Sequence, residues 1–206
     1  MAEQIERTYE ERRPLLAFLR NALQSETEDT LAGLPNVDRI AFRVKDAKSF
    51  ARKASDPAND PLYENPLVEI EDQVAGRVIV FFVGDIEPVL ERLRGAFNAV
   101  ERQHRRPARD EEFGYESYHL VCLIPPHLVP EGWQLRDDLP PTFELQVRTV
   151  FMHAYAEPQH DLGYKARGDL PREVQRELAW IAASSWGADK AYERVWRWDL
   201  ANRAAG

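Results

Sequence analysis

Four groups of residues in this sequence combine charge, hydroxyl and aromatic character at spacings suited to binding phosphates and bases. The first is Arg43-Val44-Lys45-Asp46-Ala47-Lys48-Ser49-Phe50-Ala51-Arg52-Lys53. Arg43 and Lys45 are two apart, hence on one strand face. Ser49 and Lys53 are four apart, hence on one helix face. A strand-to-helix junction that gathers cations and a hydroxyl can cradle a triphosphate, and a helix start beside Lys45 favours an anion. The same spacing also describes a solvated basic helix face. The second group is Asp72, Gly76 and Arg77, at the head of an apolar run. An acid at the mouth of a buried strand can hold Mg2+, or it can cap a turn. An arginine inside an apolar run needs a stacking plane or a carboxylate partner.

The third group is Phe113-Gly114-Tyr115-Glu116-Ser117-Tyr118-His119. Gly114 allows a bend that would present Tyr115 as a flat stacking surface, and His119 shares a strand face with Ser117. Core aromatics on a strand are the other reading. The fourth is Phe143-Glu144-Leu145-Gln146-Val147-Arg148-Thr149. Its apolar members face one way, and a carboxylate, an amide and a guanidinium face the other. Such a row is either a half-exposed sheet or one side of a site in which Glu144 meets Asp72 across a divalent cation.

The elements that must position these groups follow from periodicity. Residues 3–26 read as helix, with Leu15, Leu16, Leu19 and Leu23 on one stripe and Pro14 marking a start or kink. Glu26–Pro35 reads as a polar connector. Asn36–Lys45 alternates as a strand, and Asp46 caps a helix running to about Ser55. A loop covers 56–66, a buried strand 73–83, and a helix follows Asp85. A short strand spans 100–103 and a charged loop 104–116. Strands cover 117–124 and 142–148, joined by a Pro-rich stretch. The remainder reads as helical, disturbed at Pro158 and restarted at Pro171. Intermixed strands and helices without strict βα repeats predict a mixed β-sheet flanked by helices in one α/β (α+β) domain. The Trp-rich tail (Trp180, Trp186, Trp196, Trp198) reads either as packing on its own sheet or as a subunit interface.

The chain has 206 residues, with 27 Lys+Arg against 35 Asp+Glu, a formal charge of −8 that argues against a generic nucleic-acid coat. The longest apolar run, Val78–Val83, is far short of a membrane span, and the N-terminus carries no signal-like apolar stretch. A single cysteine, Cys122, excludes an internal disulfide and a cysteine metal cluster. The expected compartment is the cytoplasm. Neither GxGxxG nor GxxxxGK[ST] occurs, so dinucleotide-binding and P-loop readings lose their support.

In order along the chain stand R-x-K-x-x-x-S-x-x-x-K (43–53), D-x-x-x-x-R (72–77), G-Y-x-S-x-H (114–119), E-x-Q-x-R-T-x-x-M-H (144–153) and H-x-x-x-Y-K (160–165). This series resembles the synthetase domain of the RelA/SpoT family of alarmone synthetases over roughly residues 36–165. The length resembles the small single-domain members: a helical segment over 1–35, a catalytic core over 36–165 and a helical segment over 166–206. The resemblance implies a nucleotidyltransferase-like fold of the DNA polymerase beta type. It also implies transfer of pyrophosphate from ATP to the 3′-hydroxyl of GDP or GTP. Arg43 and Arg77 would sandwich the adenine, and Lys45, Ser49 and Lys53 would hold the ATP phosphates. Asp72 and Glu144 would bind Mg2+, Glu144 also helping to deprotonate the hydroxyl. Tyr115 would stack on the acceptor base, with His119, Gln146, Arg148, His153 and Lys165 around the acceptor nucleotide. The family's Pro-Lys-x-Asn before Gly-Tyr is here Asp110-Glu111-Glu112-Phe113. That departure keeps in view family members that act as toxins on adenosine nucleotides or the 3′ end of tRNA, each paired with an antitoxin. Small relatives often form tetramers, so a homo-oligomer is a further expectation.

Overall fold

The alternating stretch around Ile40, Phe42 and Val44 forms β1 (Val37–Val44), the edge of a five-stranded sheet. In the computed structural model, which describes residues 2–58, 62–109, 112–114, 116–163 and 170–205, the other strands are β2 (Val74–Val80), β3 (Ala99–Arg105), β4 (Ser117–Leu123) and β5 (Thr142–Thr149). Their order across the sheet is β1-β2-β5-β4-β3. The β2–β5 pair is parallel and the others antiparallel, the mixed sheet expected from the sequence. The helices are α1 (Ala2–Leu31), α2 (Ala47–Ala54), the single turn α3 (Pro66–Glu69), α4 (Ile86–Ala96), α5 (Val150–Gly163) and α6 (Arg172–Ala205).

The apolar face of the sheet packs on α1 and α4, and its core includes Phe42, Val78, Phe143, Leu145 and Val147 with Leu16, Leu19, Leu23, Leu90 and Leu93. Gly76 sits between Phe42 and Leu145 on this face. A Cβ there would lie 2.4 Å from Phe42 Cζ, so the glycine makes room for the ring.

Three helix boundaries differ from the sequence reading. Helix α1 does not stop at residue 26. The Thr27 hydroxyl donates to Leu23 O at 2.7 Å, and buried Leu31 ties the last turns to the core. The break comes at Gly33 and Asn36, both at positive φ. Pro14 is inside α1 rather than at its start, and α5 continues through Pro158, where the sequence places a disturbance. The expected loop over 56–66 gives way to α3 at its end, with Pro66 at the helix start.

Helix α6 lies against α5 and the turn after β2. Phe82 stacks on Trp196 (centroids 4.8 Å, planes 8° apart), and Gly84 N donates to Glu193 Oε2 at 2.9 Å. Packing on its own domain thus holds for part of the Trp-rich tail. Trp196 packs on the domain, whereas Trp180 and Trp198 are 69% and 68% exposed.

Candidate active site

Strand register lays the polar residues out in two rows on the sheet face opposite α1 and α4. One row runs Glu101, Val121, Glu144, Ala75, Arg43; the next runs Gln103, His119, Gln146, Arg77, Ala41. Arg43 and Arg77 are therefore diagonal neighbours with the small Ala41 and Ala75 between them. They line a slot of about 110 Å³ with Gln146. Arg77 also makes the ion pair that its apolar surroundings call for, with Nη1 2.6 and 2.8 Å from the two Glu157 oxygens of α5.

The first polar group closes over the head of β2. Asp46 caps α2 by accepting from Ser49 N at 3.0 Å, as the sequence predicts. That cap orients the helix so that Lys53 and Lys45 converge on one carboxylate. Lys45 Nζ is 2.5 Å from Asp72 Oδ2, and Lys53 Nζ is 2.9 Å from Asp72 Oδ1. Burial pushes the Asp72 pKa up, but the two ammoniums outweigh it and hold the carboxyl below the usual range. Lys53 responds in the opposite sense: burial lowers its pKa, and Asp72 more than restores it. Ser49 is half-buried one turn before Lys53 on the same helix face.

Asp72 and Glu144, 72 positions apart in sequence numbering, line one small cleft of about 70 Å³ together with Lys53, Glu71, Glu101 and His119. Glu144 is held by its neighbours on β4 and β5. Its Oε1 lies 2.5 Å from His119 Nδ1 and accepts from Gln146 Nε2 at 2.8 Å. Among the described residues no donor reaches Oε2. Burial raises the Glu144 pKa, and the contacts from His119 and Gln146 bring it below the usual glutamate value. Gln146 Oε1 in turn accepts from Arg148 Nη2, so a relay of side chains runs along β5. His153, on the first turns of α5, is 3.7 Å from Glu157 Oε2, beyond hydrogen-bond range. Burial, then Arg148, lower its pKa below the usual histidine value against the opposing effect of Glu157. Tyr115 and Lys165 lie outside the described residues, as do Asp110 and Glu111; the motif that starts at His160 begins at the end of α5.

A family model described as "Region found in RelA / SpoT proteins" matches residues 42–169. This chain belongs to the RelA/SpoT family. GTP pyrophosphokinase YjbM of Bacillus subtilis (strain 168) is 34% identical over 145 residues, 69% of this chain. The match spans 64% of that relative, just under two thirds of its length. A GTP pyrophosphokinase family protein from Streptococcus pneumoniae superposes with a TM-score of 0.76 at 22% identity, covering 94% of each chain. Small alarmone synthetase 1 from Bacillus subtilis does so with a TM-score of 0.73 at 24% identity, covering 93% of this chain and 98% of that one. At these identities the shared feature is the fold, the nucleotidyltransferase-like α+β sheet.

In this RelA/SpoT chain the stretch matched by the family model begins within β1, and two α1 residues ahead of it hold the site from below. The Tyr9 hydroxyl donates to Lys45 O at 3.1 Å, and its ring stacks on Phe50 of α2 at 4.1 Å. Arg12 is fully buried. It donates to Gln73 Oε1 at 3.0 Å, to Leu67 O at 3.2 Å and to Asp138 O, pinning the turn that carries Asp72. The sequence signal for this role is spacing: Tyr9, Arg12, Leu16, Leu19 and Leu23 fall on one helical stripe, so Arg12 occupies a core position. Glu101 and Glu71 were also not singled out from sequence. Burial, then Glu101 and Glu144, raise the Glu71 pKa, a sign of crowded carboxylates around the cleft.

The donor set fits a hard divalent cation. Among the described residues no three or more His, Cys, Asp or Glu side chains group as metal ligands. Asp72 and Glu144 are the carboxylates that would hold Mg2+, a cation that needs only one or two of them from the protein.

Proposed function

We propose that this chain transfers the pyrophosphoryl group of ATP to the 3′-hydroxyl of GDP or GTP. The observation that carries the reading is the meeting of Asp72 and Glu144 in one cleft beside Lys45 and Lys53, in a member of a family whose relative YjbM is named a GTP pyrophosphokinase. Bacillus subtilis small alarmone synthetase 1 has been solved bound to its product pppGpp and to AMPCPP, which supports nucleotides as donor and acceptor here.

In this mechanism the adenine lies between the Arg43 and Arg77 guanidiniums, and Lys45, Ser49 and Lys53 take the triphosphate. Asp72 and Glu144 would hold Mg2+, which when bound supplies neutralisation of charge on the phosphoryl oxygens. The open Oε2 of Glu144 takes the proton of the 3′-hydroxyl as its oxygen forms a bond to the β-phosphorus. The bond from β-phosphorus to the bridging oxygen breaks, and AMP leaves. Little covalent work falls to the protein. Positioning and charge neutralisation do most of it. Tyr115, Arg148, His153 and Lys165 are assigned to the acceptor nucleotide. Substrates of this kind support a cytoplasmic location. Exposed Trp180 and Trp198 on α6 support self-association, which light scattering of the purified chain tests.

The deciding experiment incubates the protein with ATP labelled on its terminal phosphates, Mg2+ and one acceptor at a time. Label on the 3′ position of GDP or GTP is expected. Label moving only to tRNA or to adenosine nucleotides would replace this reading with that of a toxin.

A further inference from the structure

At the end of β4 and β5, a cavity of about 250 Å³, larger than the catalytic cleft, opens beneath α6, with Ser117 and Arg148 of the polar face in its lining. Tyr118 and Val147, cross-strand partners on the helix-packed face, form one wall, and Met152 and Trp186 contribute to the others. The Tyr118 ring is itself backed by His104, stacked at 4.1 Å with planes 4° apart. Asp189 of α6, only 4% exposed, also lines this space. Its Oδ2 accepts from the Thr149 hydroxyl at 2.7 Å. Its Oδ1 is buried and has no hydrogen-bond partner among the described residues. A buried acceptor left unpaired is costly, so such an atom in the wall of a cavity marks a place for a donor.

Size and lining narrow the donor's chemistry. A cavity of roughly 150 Å³ is enough for benzene, so this one admits a bicyclic ring. Flat aromatic walls favour a planar heterocycle over an aliphatic chain. The single unpaired acceptor calls for one N–H.

We propose that this cavity is a second ligand site, for a purine base that donates an N–H to Asp189 Oδ1. Trp186 and Asp189 lie beyond residues 42–169, so the C-terminal helix adds a wall to a cavity whose other residues, Tyr118, Val147, Arg148 and Met152 among them, fall inside the stretch matched to the family. It is also connected to the catalytic face. Arg148 lines the cavity and donates to Gln146, which donates to Glu144 Oε1 at 2.8 Å. An occupant that moves Arg148 therefore acts on Glu144 through two hydrogen bonds; this coupling rests on the reading of Glu144 given above.

The test uses 2-aminopurine riboside, which lacks phosphates and loses fluorescence when it stacks on aromatic rings, titrated into the full chain. Quenching that saturates below millimolar concentration is expected. Asp189→Asn keeps an acceptor for Thr149 and turns an NH2 toward the cavity, reversing the hydrogen-bond sense. It should weaken the riboside roughly tenfold, the order of one buried hydrogen bond. Trp186→Leu, which removes an aromatic wall, should weaken it as well. Arg43→Ala, in the catalytic slot, should leave it unchanged. Circular dichroism of each variant checks folding. Absence of quenching, quenching unaffected by both cavity variants, or quenching lost in Arg43→Ala would overturn the site. None of these readouts depends on pyrophosphate transfer, so the site can fail while the proposed activity stands, and the reverse.

Discussion

Lys53 Nζ lies 2.9 Å from Asp72 Oδ1 while Lys45 Nζ takes Oδ2 at 2.5 Å, so the two cations assigned to the triphosphate pair with the carboxylate assigned to the metal. A triphosphate that draws the lysines away leaves Asp72 unpaired and buried unless a cation replaces them, and a cation alone must displace two ammoniums. Nucleotide and metal should thus bind cooperatively. Lys53→Met frees one Asp72 oxygen. Electron paramagnetic resonance should show it binding Mn2+ more tightly than wild type in the absence of ATP, while transfer falls by about 10²–10³-fold. Weaker Mn2+ binding by Lys53→Met would contradict the lock.

Glu144 presents a different pairing, with both donors on one oxygen. Glu144→Gln should lose about 10²–10³-fold in kcat, the scale for removing one transition-state stabiliser. His119→Ala should retain more activity but change its pH dependence. Burial alone raises the Glu144 pKa; His119 and Gln146 bring it below the usual value. Losing His119 leaves burial less opposed, so the folded pKa rises and the ionised fraction falls at mildly acidic pH. The acid limb of the kcat profile should move to higher pH. An unchanged limb would show that His119 acts elsewhere.

The polar face of the sheet was legible in the sequence because period two is short-range information. Glu144, Gln146 and Arg148 had to share a face once β5 formed, and the Asp46 cap told where α2 begins. What periodicity does not carry is which strands adjoin. That β2 runs parallel to β5, bringing Ala75 beside Glu144, follows from long crossovers closed by packing against α1 and α4. Arg77 illustrates the gap: either a stacking plane or a carboxylate was expected, and its carboxylate, Glu157, comes from a helix 80 residues on. Asp189 escapes periodicity for the same reason: it is a charged helix residue whose partner, Thr149, is 40 residues away. For Arg12, helical spacing marks the core position but not the partner, Gln73.

Arg12 gives a stability measurement. Arg12→Met keeps length and apolar volume but strands Gln73 Oε1 and the carbonyl of Asp138, and removes one of the two donors to Leu67 O, which keeps Gln73 Nε2 at 2.9 Å. Losing the donor to several buried acceptors should cost about 2–4 kcal/mol, read as a lower urea midpoint at unchanged slope. Because Gln73 adjoins Asp72, transfer should fall in the fraction that remains folded. A midpoint equal to wild type would mean that Arg12 carries no structural weight.

Asp189 supplies a stability effect with a defined sign. Burial pushes its carboxyl from 3.8 up to about 6, against the lowering effect of the Thr149 hydroxyl. The folded state therefore binds the proton more tightly than the unfolded chain. Stability from this group is full below the unfolded value, declines as pH rises from about 4 to 6, and is lost above that, a difference of roughly 2–3 kcal/mol. An amide cannot ionise and escapes the loss. Asp189→Asn should thus melt at a higher temperature than wild type at pH 7.5, and the gain should shrink toward zero at pH 4.5. Melting curves of the two proteins across that range decide it. A gain independent of pH would mean that the carboxyl is not raised, and a destabilisation at pH 7.5 would mean that the ionised form has found a partner in the cavity.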